Sequence, residues 1–468
     1  MKIIVVGSGY IGLVQAAICS EYGHEVYAYD TDRDKIKAYA TGEPRDIEKY
    51  VYEPGLTNAI REMLNRYLFF TDKLTGVIET AEVIFFCVPT PLEPDGSTNL
   101  AAYRKAVENV AKHLAKRSGE RRVVLVNKGT LPIGTVRYLE ELAQQHGVKN
   151  FGVAANPEFL SEGTAVSQAR RPDRVVVGCD TEEDFKLLRR VYSQFVNHVR
   201  IKYIETTPET AEAIKFTANA MLLTYISFWN GVGARIGERF PNVKIEDLRR
   251  GVTADERIST WGSYVSNGAG GRNFSQDIRS IIYQLKKANI DTRILEASLE
   301  INQYQKSYLV RRAIEEANFS FRGKTIALLG LAFKKLTNDI SDASAIKAIE
   351  LLLKEGVQKI KAYDPLAIGE ARKMFDPAWN PDYARIEYFD SPEAAIEESD
   401  GLFISTDWEE FRGISAFIER TVPPPYLIID GRRMIPDYKA LVEKGYTYLA
   451  VGSPLMTPGE RGWGKGKR

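Results

Sequence analysis

The chain has 468 residues, 44% of them hydrophobic, with 63 Lys and Arg against 62 Asp and Glu for a formal net charge of +1. That length holds about two to four domains with buried cores, and the even charge excludes nucleic acid or an anionic membrane as a charge-driven partner. No apolar run is long enough to span a bilayer. Cys19, Cys87 and Cys179 lie in apolar surroundings without metal-like spacing. They read as small buried hydrophobes in a reducing compartment, and the chain as a soluble cytoplasmic protein with no metal.

In chain order, Lys2 to Val6 reads as an apolar strand rather than part of a signal peptide. Gly7-Ser8-Gly9-Tyr10-Ile11-Gly12 then opens a helix through about Tyr22, and the next strand, Glu25 to Tyr29, ends on Asp30. Gly7 suits a tight turn, Gly9 lets backbone amides reach a pyrophosphate, and Gly12 allows close helix–strand packing. Asp30 is placed to accept hydrogen bonds from adenosine ribose hydroxyls and would repel a 2′-phosphate, which favours NAD over NADP.

Strand–helix alternation continues. Glu82 to Val88 ends in Cys87-Val88-Pro89-Thr90-Pro91, Arg122 to Asn127 ends in Lys128-Gly129-Thr130-Leu131-Pro132, and Phe151 to Ala155 leads into Asn156-Pro157-Glu158-Phe159-Leu160-Ser161-Glu162-Gly163. Ligands of open parallel sheets bind outside the carboxyl ends of strands, where these loops fall. Thr90 and Thr130 read either as site hydroxyls or as turn and cap residues. Glu158 and Glu162 could equally be a solvated pair one helical turn apart.

Thr207-Pro208-Glu209 is a helix start. That helix runs to about Trp229 and aligns Glu212, Lys215 and Asn219 on one face among mainly apolar neighbours. A lysine and an asparagine there need partners, whether the lysine is functional, salt-bridged or snorkelling. Further helices are expected over about 244–251 and, as one long element, 278–306. Between them lies Ser266-Asn267-Gly268-Ala269-Gly270-Gly271-Arg272-Asn273-Phe274-Ser275-Gln276-Asp277, either a mobile surface loop or a ligand loop in which glycines permit close backbone approach. A second alternating half begins with the strand Thr325 to Leu329 and continues through Lys359 to Tyr363, Gly401 to Ser405 and Tyr426 to Ile429. It lacks the dinucleotide glycine spacing, and Lys334 and Arg432 are candidate binders of a nucleotide-like ligand. The Gly-Lys-Gly-Lys-Arg tail reads as a solvated end.

Together these motifs resemble the UDP-glucose/GDP-mannose dehydrogenase family along nearly the whole chain. The resemblance rests on the Gly7–Leu13 turn, the loops Cys87–Pro91 and Asn156–Gly163, the Lys215–Asn219 helix, Asp255-Glu256-Arg257-Ile258, Gly330-Leu331-Ala332-Phe333-Lys334, Tyr363-Asp364-Pro365 and Thr406-Asp407-Trp408. It implies an α/β protein with two Rossmann-like doubly wound parallel-sheet domains joined by a central helical domain with a long helix. The corresponding divisions are an NAD domain over 1–200, a helical dimerisation domain over 201–305 and a sugar-nucleotide domain over 306–468. The family implies oxidation of the C6 alcohol of a nucleotide sugar, here a UDP-sugar, to a carboxylate with NAD, in a homodimer.

By residue, the resemblance implies that Gly7, Gly9, Tyr10, Ile11, Gly12, Asp30, Lys35, Thr90, Thr130 and Glu162 serve NAD. It assigns Glu158, Phe159, Leu160, Glu162, Lys215, Asn219, Gly268, Lys334 and Arg432 to the sugar nucleotide, with Arg257 reaching it from the partner subunit. Lys215, Asn219 and Asp277 would organise water and the developing oxyanion, assisted by Thr130 and Glu162. The family's Gly-Gly-x-Cys-Phe-Pro-Lys-Asp reads here Gly270-Gly271-Arg272-Asn273-Phe274-Ser275-Gln276-Asp277. Asn273 therefore stands where the nucleophilic cysteine is expected, Gln276 where a lysine is, and Ser341 where a cofactor-contacting arginine is. An amide cannot form the thiohemiacetal. Three functions follow: oxidation of a nucleotide sugar without the covalent step, a two-electron dehydrogenase stopping at a carbonyl, or a binding protein that has lost turnover.

Overall fold

The computed structural model describes residues 1–117, 121–240 and 242–459, and at position 273 the backbone alone. The basic tail lies outside the described residues. The chain divides into two units, Met1–Ala218 with Arg279–Ile290, and Asn219–Ile278 with the chain from Asp291 onward.

The first unit is built on an eight-stranded sheet: β1 (Lys2–Val6), β2 (Glu25–Tyr29), β3 (Leu68–Thr71), β4 (Val83–Phe86), β5 (Val123–Asn127), β6 (Phe151–Ala155), β7 (Arg174–Cys179) and β8 (Lys202–Thr206). The order is β3-β2-β1-β4-β5-β6-β7-β8. Its first six strands are parallel in the doubly wound dinucleotide order. β7 runs antiparallel to β6 and parallel to β8, an extension the alternation of strands and helices did not foretell. Successive residues of the apolar strands enter opposite cores. Ile3, Val5, Phe85 and Val124 pack on one side, and Ile4, Val6, Ile84 and Leu125 on the other. Burial on both faces is why these strands read as continuous apolar runs.

The second unit carries a six-stranded sheet, β9 (Thr325–Leu329), β10 (Lys359–Tyr363), β11 (Ile386–Tyr388), β12 (Gly401–Ile404), β13 (Leu427–Asp430) and β14 (Thr447–Ala450), in the order β11-β10-β9-β12-β13-β14. All its pairs are parallel. The sheet repeats the first unit's opening turn: Gly7 and Gly330 have φ of 93° and 90°. Each donates its N–H to the end of the neighbouring strand, at Tyr29 and Tyr363, over 2.8 Å. The acids that follow differ. Asp364 is buried and accepts from the Leu331 and Ala332 amides at 2.7 and 3.0 Å and from the Trp408 indole at 3.1 Å. This carboxylate fills its own turn instead of facing a ribose.

The helices before this sheet include Ile245–Val252, close to expectation, and the 23-residue Arg293–Glu315. The single helix expected over 278–306 is instead two, Arg272–Lys287 and Arg293–Glu315. The first ends as Asn289 turns left-handed at φ 57° and the Ile290 N–H bonds back to the Leu285 carbonyl at 2.9 Å, a helix stop that asparagine tolerates. Asp291 then accepts the Arg293 N–H at 2.9 Å and starts the next.

Candidate active site

The cofactor turn is formed as the glycine spacing predicts. A Cβ on Gly7 would lie 2.8 Å from the Cys87 carbonyl oxygen, and one on Gly12 1.8 Å from the Gly7 carbonyl oxygen, so the fold itself forbids side chains there. Gly9 is different: a Cβ on it would meet nothing within 4 Å. The protein leaves that space open at the start of the Tyr10–Glu21 helix, where amides without a side-chain cap suit a pyrophosphate. Asp30 receives the Ser8 N–H and Oγ, each at 2.9 Å, and the Asp32 N–H at 3.0 Å, and pairs with Lys35 at 3.2 Å. Burial works to raise the Asp30 carboxyl, but the Asp32 and Ser8 amides and the Lys35 ammonium outweigh it and hold the group below its ordinary range. It is an anionic acceptor, as a ribose diol requires. The open space at Gly9 and this carboxylate fit NAD.

A pocket within the first unit is lined by Asn127, Gly129, Thr130, Leu131, Ala155, Pro157, Glu212 and Lys215. It brings the ends of β5 and β6 to the Pro208–Phe228 helix. Lys215 and Glu158 form an ion pair of 2.9 Å with side chains only 5% and 3% exposed. Glu158 also accepts the Leu160 N–H at 2.5 Å. Its solvated-pair alternative is thereby corrected: the turn after Pro157 aims it inward, while Glu162 stays half-buried. Phe159 offers its ring to the Arg174 guanidinium at 3.8 Å and to the Lys215 ammonium at 5.7 Å. Thr90 donates its hydroxyl to the Thr130 carbonyl at 3.2 Å and fixes one loop to the other, while Thr130 itself faces the pocket.

Three further side chains shape this unit. Glu212, 5% exposed, accepts the Gly134 and Val136 N–H groups at 2.7 and 2.9 Å, capping the Thr135–Gln145 helix. Burial, set against those amides, pushes its carboxyl up to about 7. Lys128, buried at the end of β5, donates to Asn156 at 2.9 Å and to the Tyr192 phenol at 3.4 Å. Burial holds its ammonium below the ordinary range. Glu53 is also buried, at 5% exposure, and receives donors from two of the predicted motifs. In the sequence Glu212 is marked only by its helix face and Lys128 only by its loop, and nothing local marks Glu53. The one available signal was that an acid inside an otherwise apolar helix face needs partners.

Cys87 does not stand in as a nucleophile. It belongs to the core cluster of β1 and β4, and burial pushes its thiol up to about 12. Cys19 and Cys179 are likewise free and buried.

In the second unit, the glycine-rich stretch, read as either a mobile surface loop or a ligand loop, is buried and bonded. Asn267 donates its N–H to the Gly431 carbonyl at 3.0 Å and its side-chain amide to Ser405 Oγ at 2.9 Å. Asn302 brackets Ala269, accepting its N–H at 2.8 Å and donating to its carbonyl at 3.0 Å. Gly268 and Gly271 have φ of 104° and 88°, and a Cβ on Gly270 would sit 2.6 Å from that of Phe333. Positions 272–277 form the start of the Arg272–Lys287 helix. The Asn273 side chain lies outside the described ones. Asp277 accepts the Asn219 side-chain amide at 2.5 Å, and both residues are buried. Ser275 bonds to Asp342, which pairs with buried Lys306. Arg432 donates to the Ser405 and Phe333 carbonyls at 2.9 and 3.0 Å, and half-buried Lys334 lies 5.4 Å from the Phe333 ring. Arg257 is exposed and paired with neighbouring Asp255. Direct bonds among the predicted residues thus join Asp30 with Lys35, Thr90 with Thr130, Glu158 with Lys215 and Leu160, and Asn219 with Asp277.

Three models of the UDP-glucose/GDP-mannose dehydrogenase family match the chain: its NAD binding domain over residues 1–196, its central domain over 209–304 and its UDP binding domain over 327–437. A UDP-glucose 6-dehydrogenase of Pseudomonas aeruginosa is 35% identical over 97% of this chain and 98% of its own length. UDP-glucose 6-dehydrogenase TuaD of Bacillus subtilis is 33% identical over 97% and 94%. Among solved structures, a UDP-glucose dehydrogenase of the archaeon Pyrobaculum islandicum superposes with a TM-score of 0.85 at 28% identity, covering 97% of this chain and 98% of that one.

Proposed function

The chain belongs to the UDP-glucose/GDP-mannose dehydrogenase family, and from that premise we propose that it oxidises the C6 alcohol of a UDP-sugar of the UDP-glucose type, using NAD. The observation that carries this reading is the buried Lys215–Glu158 pair beside the pocket that Thr130 lines. A buried ammonium held by one carboxylate is a fixed cation with charge to offer an oxyanion, and it needs no reorganisation when the alkoxide develops.

Roles follow residue by residue. Gly7 to Gly12, Asp30, Lys35, Thr90, Thr130 and Glu162 hold NAD, which when bound accepts hydride. Glu158 to Glu162, Lys215, Asn219, Gly268, Lys334 and Arg432 hold the sugar nucleotide, with Arg257 of the partner subunit reaching it in a homodimer. Lys215 stabilises negative charge on O6, and Asn219 with Asp277 orients a water through which the O6 proton passes to the Asp277 carboxylate. The divisions 1–200, 201–305 and 306–468 are the NAD, dimerisation and sugar-nucleotide domains, and the protein works in the cytoplasm.

Position 273 sets the product. The lone pair of the Asn273 amide nitrogen is delocalised into its carbonyl, so no covalent adduct forms with the aldehyde. The aldehyde is therefore left free, to leave or to hydrate. The test is purified protein with NAD and a panel of UDP- and GDP-sugars, followed by NADH absorbance. UDP-glucose should give NADH, and Asn273→Cys should raise the NADH formed per sugar. No NADH with any sugar overturns the reading.

A further inference from the structure

Glu53 precedes a turn whose Gly55 is left-handed at φ 82°. Its carboxylate, 5% exposed, collects three neutral donors. One oxygen takes both the Tyr10 phenol and the Gly163 N–H, the latter at 2.6 Å, and the other faces the Val166 N–H at 3.4 Å. Tyr10 lies inside the glycine turn assigned to NAD. Gly163, itself left-handed at φ 80°, closes the Asn156–Gly163 loop assigned to the sugar nucleotide. Burial and then the Glu53 carboxylate push the Tyr10 phenol well up, so it stays a donor.

We propose that Glu53 is a positioning residue that couples the two ligand sites: it ties the cofactor turn to the substrate loop, so that binding of either nucleotide strengthens binding of the other. This rests on the ligand assignments of the proposed function. The reasoning is geometric. Both donors converge on a single buried oxygen, which accepts both at once only when the turn and the loop are in register. A ligand that orders Tyr10 thereby orders Gly163, and by linkage the effect is the same in either direction. A carboxylate with a merely structural role would support the fold without linking the affinities.

The test measures dissociation constants by calorimetry for NADH alone, UDP-glucose alone, and each in the presence of the other, a pair that does not react. The wild type should show coupling on the order of tenfold. Glu53→Gln, which replaces one acceptor oxygen by a donor, should bring the coupling to within about twofold of none. Tyr10→Phe, which removes only the phenol oxygen, should do the same and serves if the first variant does not fold. Binding of both ligands with wild-type coupling in these variants, or with no coupling in the wild type, overturns the inference alone. Failure of the wild type to bind either ligand overturns it together with the proposed function.

Discussion

Glu212 provides a quantitative test of the pocket. Its carboxyl is raised by burial from the ordinary 4.5 to about 7, a gap worth roughly 3 kcal/mol. Below about pH 4.5 the group is protonated in folded and unfolded chains alike. Between about 4.5 and 7 the folded chain keeps a proton that the unfolded chain has released, so stability falls as pH rises. Above 7 the full loss of roughly 3 kcal/mol is present. Glu212→Gln does not titrate. It leaves one of the Gly134 and Val136 N–H groups without its acceptor, an offset of about 1–3 kcal/mol. The difference between variant and wild type should therefore move by roughly 3 kcal/mol in glutamine's favour between pH 4.5 and 8. The assay is urea unfolding at four pH values, read from hydrogen exchange of first-unit peptides. Among the described residues, Trp229, Trp261, Trp379 and Trp408 all belong to the second unit, so tryptophan fluorescence supplies an internal control. A difference that stays flat with pH to within about 1 kcal/mol would refute the reasoning.

Three more outcomes follow. Lys215→Met leaves Glu158 buried without its ammonium and should destabilise the first unit by about 3–5 kcal/mol; adding Glu158→Gln should recover part of this, and strictly additive urea midpoints would argue against the pair. Asp30→Ala should raise the KM for NAD about tenfold, from loss of a charge-assisted bond of about 1.5–3 kcal/mol, and narrow the preference over NADP; an unchanged preference ratio in steady-state kinetics would count against the ribose assignment. Cys87→Ser should retain NADH formation, and native protein should react slowly with a thiol reagent at pH 8 because its three thiols are buried; rapid labelling accompanied by loss of activity would mean a cysteine does act.

Features governed by local spacing were legible in the sequence. The Gly7–Gly12 turn, Asp30 at a strand end and the Lys215–Asn219 helix face all depend on residues close along the chain. Glu53 was not legible because its partner Gly163 lies 110 residues away and nothing local marks the bond. The Lys215–Glu158 pair spans 57 residues; each member was a candidate, but only the fold joins them. The glycine-rich loop carried the composition of a mobile segment, yet Asn267 and Asn302 tie it down through distant carbonyls and amides. The helix break at Asn289 was hidden because the flanking pattern stays helical, and a left-handed asparagine is permitted there rather than demanded. The short strands β3 and β11 offered only four and three residues of pattern.

The proposed oxidation of a UDP-sugar without capture of the aldehyde at position 273 can be tested directly. The most direct measurement incubates the protein with UDP-glucose, NAD and hydroxylamine, which traps free aldehyde, and counts NADH and oxime per sugar consumed. About one NADH and one oxime per sugar are expected, since a single hydride leaves before trapping. NADH approaching two per sugar with no oxime would contradict release of a free aldehyde, and no NADH despite tight UDP-glucose binding would contradict the oxidation itself.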